Sequence, residues 1–90
     1  MQKIWKKQLK IHKSQIIELP DNAKILCVQI QKGIPCIWFI VPQVESYGMA
    51  KRKILCLETD EQWETISELK YIGTFQMMSS TEVFHLFEER

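Results

Sequence analysis

The sequence predicts a mainly β protein, a small single-domain antiparallel barrel or sandwich of about six or seven strands, with at most one short helix around residues 60–68. Three observations carry this. Most segments are short runs rich in Ile, Val, Phe and Trp, with Gly, Pro, Asn, Asp or Ser between them. Residues 24–41 place Lys32-Gly33 between two such runs, and Gly takes the positive φ that a tight hairpin turn requires. Apolar spacing suited to a helix occurs only within residues 59–69.

At the start of the chain, Trp5, Leu9 and Ile11 fall on one side of an extended backbone and Lys6, Gln8 and Lys10 on the other, as a period of two requires. Lys7 interrupts the apolar side, which suits an edge strand. A second run, residues 15–19, stops at the turn signal Pro20-Asp21-Asn22. For the 24–41 hairpin, setting Gln31 opposite Ile34 fixes the register by counting. Leu26, Val28 and Ile30 then share a face with Phe39, Ile37 and Pro35, while Ile25, Cys27 and Gln29 share the other with Ile40, Trp38 and Cys36. Both faces are apolar, so the two strands are expected at the centre of a sheet. They need cover on two sides, from the rest of a barrel or from a second subunit.

Residues 42–50 read as a loop, because Pro42 and Gly48 break the pattern, and residues 51–57 resume it as a strand with a basic front. In the candidate helix, Thr59 or Asp60 suits a cap, Glu61 and Glu64 suit the first turn, and Trp63 and Ile66 recur on one side. A second hairpin joins residues 69–77 to 81–88 through Ser79-Ser80. If Met78 faces Thr81, Phe75 lies opposite Phe84. Glu88, Glu89 and Arg90 read as a solvated tail.

Ninety residues suffice for one compact domain and not for two. With 46% hydrophobic and 26% charged residues, a packed core is expected rather than disorder. A net charge of +1 points to no strongly steered polyanion, although it permits local basic patches. Cys27, Cys36 and Cys56 show no Cys-x-x-Cys spacing, and an odd number suits neither zinc nor a disulfide framework. They read as buried reduced thiols, which implies a reducing compartment such as the cytoplasm. No long apolar run or secretory leader is evident, so no membrane association or export is expected.

Catalytic signatures are missing from the sequence. Gly33, Gly48 and Gly73 are dispersed and open no phosphate-cradling motif. His12 and His85 are far apart, with no carboxylate or nucleophile at a spacing that implies a triad or a metal site. His85 lies in the apolar run Val83-Phe84-His85-Leu86-Phe87 and reads as a core or interface histidine. Two basic clusters stand out, one around Trp5 that includes Lys6 and Lys10, and the other Lys51-Arg52-Lys53. Basic groups beside an aromatic grip a nucleic-acid backbone and stack a base, whereas alternate lysines also solvate an edge strand and block aggregation. Trp38 fits a subunit interface and a core equally, and Trp63 fits the cap of a barrel end.

The strings ILCVQIQKGIPCIWFIV at residues 25–41, LKYIGTFQ at 69–76 and EVFHLFEE at 82–89 resemble a family of small uncharacterised phage and bacterial (prophage-type) proteins with an all-β core. IWKKQLKI and IELPDNAKIL extend the likeness toward the N-terminus, and residues 47–68 follow the pattern least. The resemblance implies a phage or prophage accessory protein of the bacterial cytoplasm and carries no catalytic residue. The expected function is a non-enzymatic binding or accessory protein, phage-encoded, serving anti-defence or host takeover through protein or small-ligand binding. A small nucleic-acid-binding β-barrel is the alternative. Expected binding residues are Trp5, Lys6, Lys10, Trp38, Lys51, Arg52, Lys53 and His85. Expected partners are a second copy in a homodimer or higher homo-oligomer, a host protein, a small ligand or a nucleic acid; no cofactor or metal is expected.

Overall fold

The computed structural model describes residues 1–42, 47–78 and 80–90. Its strands are β1 (Gln2–Gln8), β2 (Ser14–Pro20), β3 (Lys24–Gln31), β4 (Ile34–Pro42), β5 (Met49–Glu58), β6 (Lys70–Gln76) and β7 (Val83–Glu88). They form two antiparallel sheets, ordered β1-β4-β3 and β2-β5-β7-β6. Among the described residues no ladder joins the two sheets, so the fold is a sandwich rather than a closed barrel. The mainly β expectation holds.

Turn chemistry explains the local connections. Lys32 and Gly33 have φ of 52° and 79°, the pair of positive values that a two-residue hairpin turn matched to strand twist demands. At the passage from β2 to β3, Asn22 has φ of 66° and the Ala23 N–H donates to the Pro20 carbonyl at 3.1 Å. Asn tolerates that conformation, and here the turn carries the chain from one sheet to the other. Of the expected 42–50 loop, residues 43–46 lie outside the described residues, as does Ser79 of the second turn.

In the first hairpin the counted register holds from Gln31 opposite Ile34 to Cys27 opposite Trp38. A bulge between Ile25 and Cys27 then sets Ile25 opposite Phe39. An extra residue in one strand reverses which side the following side chains take. Ile25 therefore joins Val28, Ile37 and Phe39 in the core, and Leu26, expected beside them, is 41% exposed. The expected central position also needs correction for one strand. Of the two hairpin strands, β4 is flanked on both sides, while β3 is the last strand of its sheet.

The second hairpin places Phe75 opposite Phe84 as counted, with ring centroids 5.5 Å apart. A second bulge, between Tyr71 and Gly73, turns Ile72 into the core. Where β6 crosses β3 the backbones approach so closely that a Cβ at Gly73 would lie 2.8 Å from Val28 Cγ1. The core between the sheets centres on Leu19, Ile37, Val41, Ile54 and Leu86, all essentially inaccessible.

The β5-β7 pair is also covered on its outward side. Leu55 and Leu57 are fully buried although they stand outside the main core cluster, in register with Phe87 and His85. Residues 59–69 return across this side, tied down where the Thr59 hydroxyl meets His85. The helix expected near 60–68 is a single 3-10 turn, Ile66–Glu68. Asp60 takes φ of 72°, which ends any helix there, and Thr65 makes no side-chain cap. So short a segment does not repay helix nucleation. The expected solvated tail also differs: Glu88 is buried in β7 beside Arg52, and the Glu89 N–H donates to the Lys53 carbonyl at 3.0 Å. Ile11, expected on the apolar side with Trp5 and Leu9, is exposed because β1 ends at Gln8. Among the described residues no helix is long and apolar enough to cross a membrane.

Candidate functional site

The side of β1-β4-β3 that faces away from the core is built by cross-strand rows. Ile4, Ile40 and Lys24 form one row, Lys6, Trp38 and Cys27 the next, and Gln8, Cys36 and Gln29 the third. Ile4 is 60% exposed and Leu26, turned out by the bulge, 41%; Trp38, Ile40 and Cys27 are half-buried. Ile4, Leu26, Cys27, Gln29 and Trp38 line a shallow groove of about 300 Å³. The charged groups of these rows are Lys6 and Lys24, with no carboxylate among them. The Lys6 ammonium donates to the Gln31 side-chain carbonyl. Hydrophobic rows of this kind ordinarily require a partner layer, and the opposite sheet already has its two layers.

A second concavity, of about 690 Å³, opens at one end of the sandwich among Ile11, His12, Lys13, Glu58, Glu61, Met77, Glu82 and Phe84. Lys13 Nζ lies 2.5 Å from Glu61, and that contact, helped by the Glu58 N–H, holds the Glu61 carboxyl below its ordinary range. Glu58 moves the other way, pushed up by its hydrogen bond with Glu82 and by that group's charge. Burial, then the charges of Glu61 and Glu58, pushes the Cys56 thiol up to about 11. Cys56 is therefore neutral near pH 7, and a neutral thiol is a poor nucleophile. Among the described residues no group of three or more His, Cys, Asp or Glu side chains is placed to hold a metal.

The sequence-predicted residues separate into five places. Lys6 and Trp38 meet as direct cross-strand neighbours on the open face. Trp5 points to the other side of β1, edge-on to Phe39 and Tyr47 at centroid distances of 6.4 and 6.0 Å, with the Lys3 ammonium 5.4 Å from its ring. Trp5 is thus half-buried among contacts within the chain and does not share the open face with Lys6 and Trp38. Lys10 is exposed at the end of β1, its backbone bonded to the Gln15 side chain.

On β5, Arg52 and Lys53 are ion-paired, whereas Lys51 has an acid only as its register partner. Lys51 is opposite Glu18, Lys53 lies 3.4 Å from Glu89, and Arg52 holds Glu88 through Nε and Nη2, the latter at 2.9 Å. Arg52 Nη1 donates to the Ala23 carbonyl at 3.0 Å. The hydrogen bond to Glu88 raises the Arg52 pKa, against the effect of burial. His85 has both ring nitrogens occupied, Nε2 at 2.7 Å from Thr59 Oγ1 and Nδ1 at 3.0 Å from Thr74 Oγ1, which in turn meets Tyr71 Oη at 2.6 Å. Reading the sequence missed Ile4, Lys24, Leu26 and Ile40. Alternation along β1 and β4 contains the signal for Ile4 and Ile40, but Leu26 reaches this face only through the bulge.

The fold and its open face define a small antiparallel β sandwich in which one sheet is covered twice and the other once. The chain belongs to the family described as a domain of unknown function, DUF7352, which matches residues 1–90. No curated protein and no solved structure matches it.

Proposed function

We propose that this is a non-enzymatic binding protein whose contact surface for another protein chain is the outward side of β1-β4-β3. The observation that carries this is the uncovered apolar patch of Ile4, Leu26, Trp38 and Ile40 on an otherwise well-packed sandwich. Such a surface gains free energy when water is expelled from it, and a half-buried Trp is the side chain best suited to anchor an interface. A neutral Cys56 and a His85 bonded on both nitrogens support binding over chemistry. A phage-encoded accessory role in the bacterial cytoplasm is part of the reading and rests on the string resemblance alone.

The test is site-specific photo-cross-linking in cells, with the reactive group at Ile4 or Leu26 and, as control, at the exposed β2 residue Glu18. Adducts of defined mass are expected from positions 4 and 26 and not from 18. Equal labelling from all three, or none from the sheet, overturns the proposal. Salt-dependent oligonucleotide binding that disappears in Lys6→Glu would assign the face to nucleic acid instead.

A further inference from the structure

We infer that the partner on this face is the acidic 58–68 segment of a second copy, so that the chains associate head to tail. The inference rests on the proposed role of the sheet face and names its occupant. Its basis is the distribution of charge in a chain of net charge +1. The open rows of β1-β4-β3 carry Lys6 and Lys24 and no carboxylate. Residues 58–68 contain Glu58, Asp60, Glu61, Glu64 and Glu68 and no Lys or Arg.

These two surfaces look in opposite directions. The acidic segment returns over the outward side of the β5-β7 pair, where Thr59 is bonded to His85, while the basic rows lie on the outward side of the other sheet. Glu61 is held by Lys13, but among the described residues no basic side chain lies within ion-pair distance of Asp60, Glu64 or Glu68. The acidic segment also supplies apolar surface. Ile66 is 38% exposed and Trp63 half-buried, beside a groove of about 540 Å³ that also takes in Glu68, Leu69, Glu89 and Arg90. Both surfaces thus carry apolar side chains, and the carboxylates of one complement the lysines of the other.

Pairing of two sheet faces with each other is the competing arrangement. It would bring the lysines of both copies together with no carboxylate in the interface, and like charges in an interface disfavour association. The complementary contact is heterologous, and a heterologous contact leaves one free surface of each kind at the ends. Mass then rises with concentration until a ring closes or an open filament forms.

The experiment is sedimentation velocity over a concentration series at low and high salt. Wild-type protein is expected to grow in mass with concentration and to dissociate as salt screens the exposed charges. Lys6→Glu/Lys24→Glu and Glu64→Gln/Glu68→Gln each alter exposed side chains, and each is expected to weaken association by about tenfold or more. Mixed together, the two variants retain one intact surface apiece and are expected to give a dimer of one copy of each, with no further growth. A wild-type chain that stays monomeric throughout overturns the inference. So does a Glu64→Gln/Glu68→Gln variant that associates as strongly as wild type. In either case, adducts to a different protein from position 26 would leave the binding role of the sheet face standing.

Discussion

Replacing Arg52 by Met tests how the two sheets are held in register. The guanidinium joins Glu88 on β7 and the Ala23 carbonyl just before β3, so one side chain on β5 braces three places in the fold. The Arg52 and Glu88 side chains are 19% and 11% exposed, well toward the buried limit. Breaking a fully buried pair by removing one partner costs about 3–5 kcal/mol, whereas an exposed pair contributes about 0–1 kcal/mol. Arg52→Met should therefore cost about 2–3 kcal/mol, because it strands the Glu88 carboxylate and leaves the Ala23 carbonyl without this donor. For a chain of this length, that corresponds to a fall in Tm of about 10–20 °C. Urea denaturation followed by circular dichroism measures it, with the slope of the transition expected to stay constant. The double variant Arg52→Met/Glu88→Met should recover much of the loss, since apolar groups replace both charges. A single-variant cost below about 0.5 kcal/mol, or a double variant no better than the sum of the singles, would refute the coupling.

Three further outcomes follow from the packing. Gly73→Ala should destabilise by about 1–3 kcal/mol, since its Cβ would press on Val28 Cγ1 at 2.8 Å; in the same denaturation assay the pair Gly73→Ala/Val28→Ala should cost less than the sum of the two single changes. The Cys56 thiol is pushed up to about 11 in the folded protein from an ordinary value of 9.0. A raised folded pKa gives stability that is complete below the unfolded value and is lost as pH rises from there through the folded value. Stability should therefore decline between those two pH values, and the decline should be smaller in Cys56→Ala. Alkylation at pH 8 followed by peptide mass mapping should label half-exposed Cys27 before buried Cys36 and Cys56, and labelling of Cys56 first would contradict its burial.

Local pattern determined much of the architecture. Period-two alternation, Gly33 at its turn and the counting of residues across two short connections suffice to place Trp38 opposite Cys27 and Phe75 opposite Phe84. These features were legible because neighbouring strands and their turn are specified by residues close together in the chain. The candidate site was legible only in part. Lys6 and Trp38 share the open face as cross-strand neighbours, but nothing in either local sequence pairs β1 with β4.

The amino-acid sequence by itself determined the β character, the two hairpins and the supply of apolar residues for two faces of the 24–41 ribbon. Tertiary structure alone decided which strands became edges, that bulges would turn Leu26 out and Ile72 in, and that Arg52 would be engaged by Glu88. The physical reason is range. Turns and alternation are set by backbone sterics over a few residues, whereas bulges, burial and ion pairing depend on contacts between segments that meet only when two twisted sheets pack.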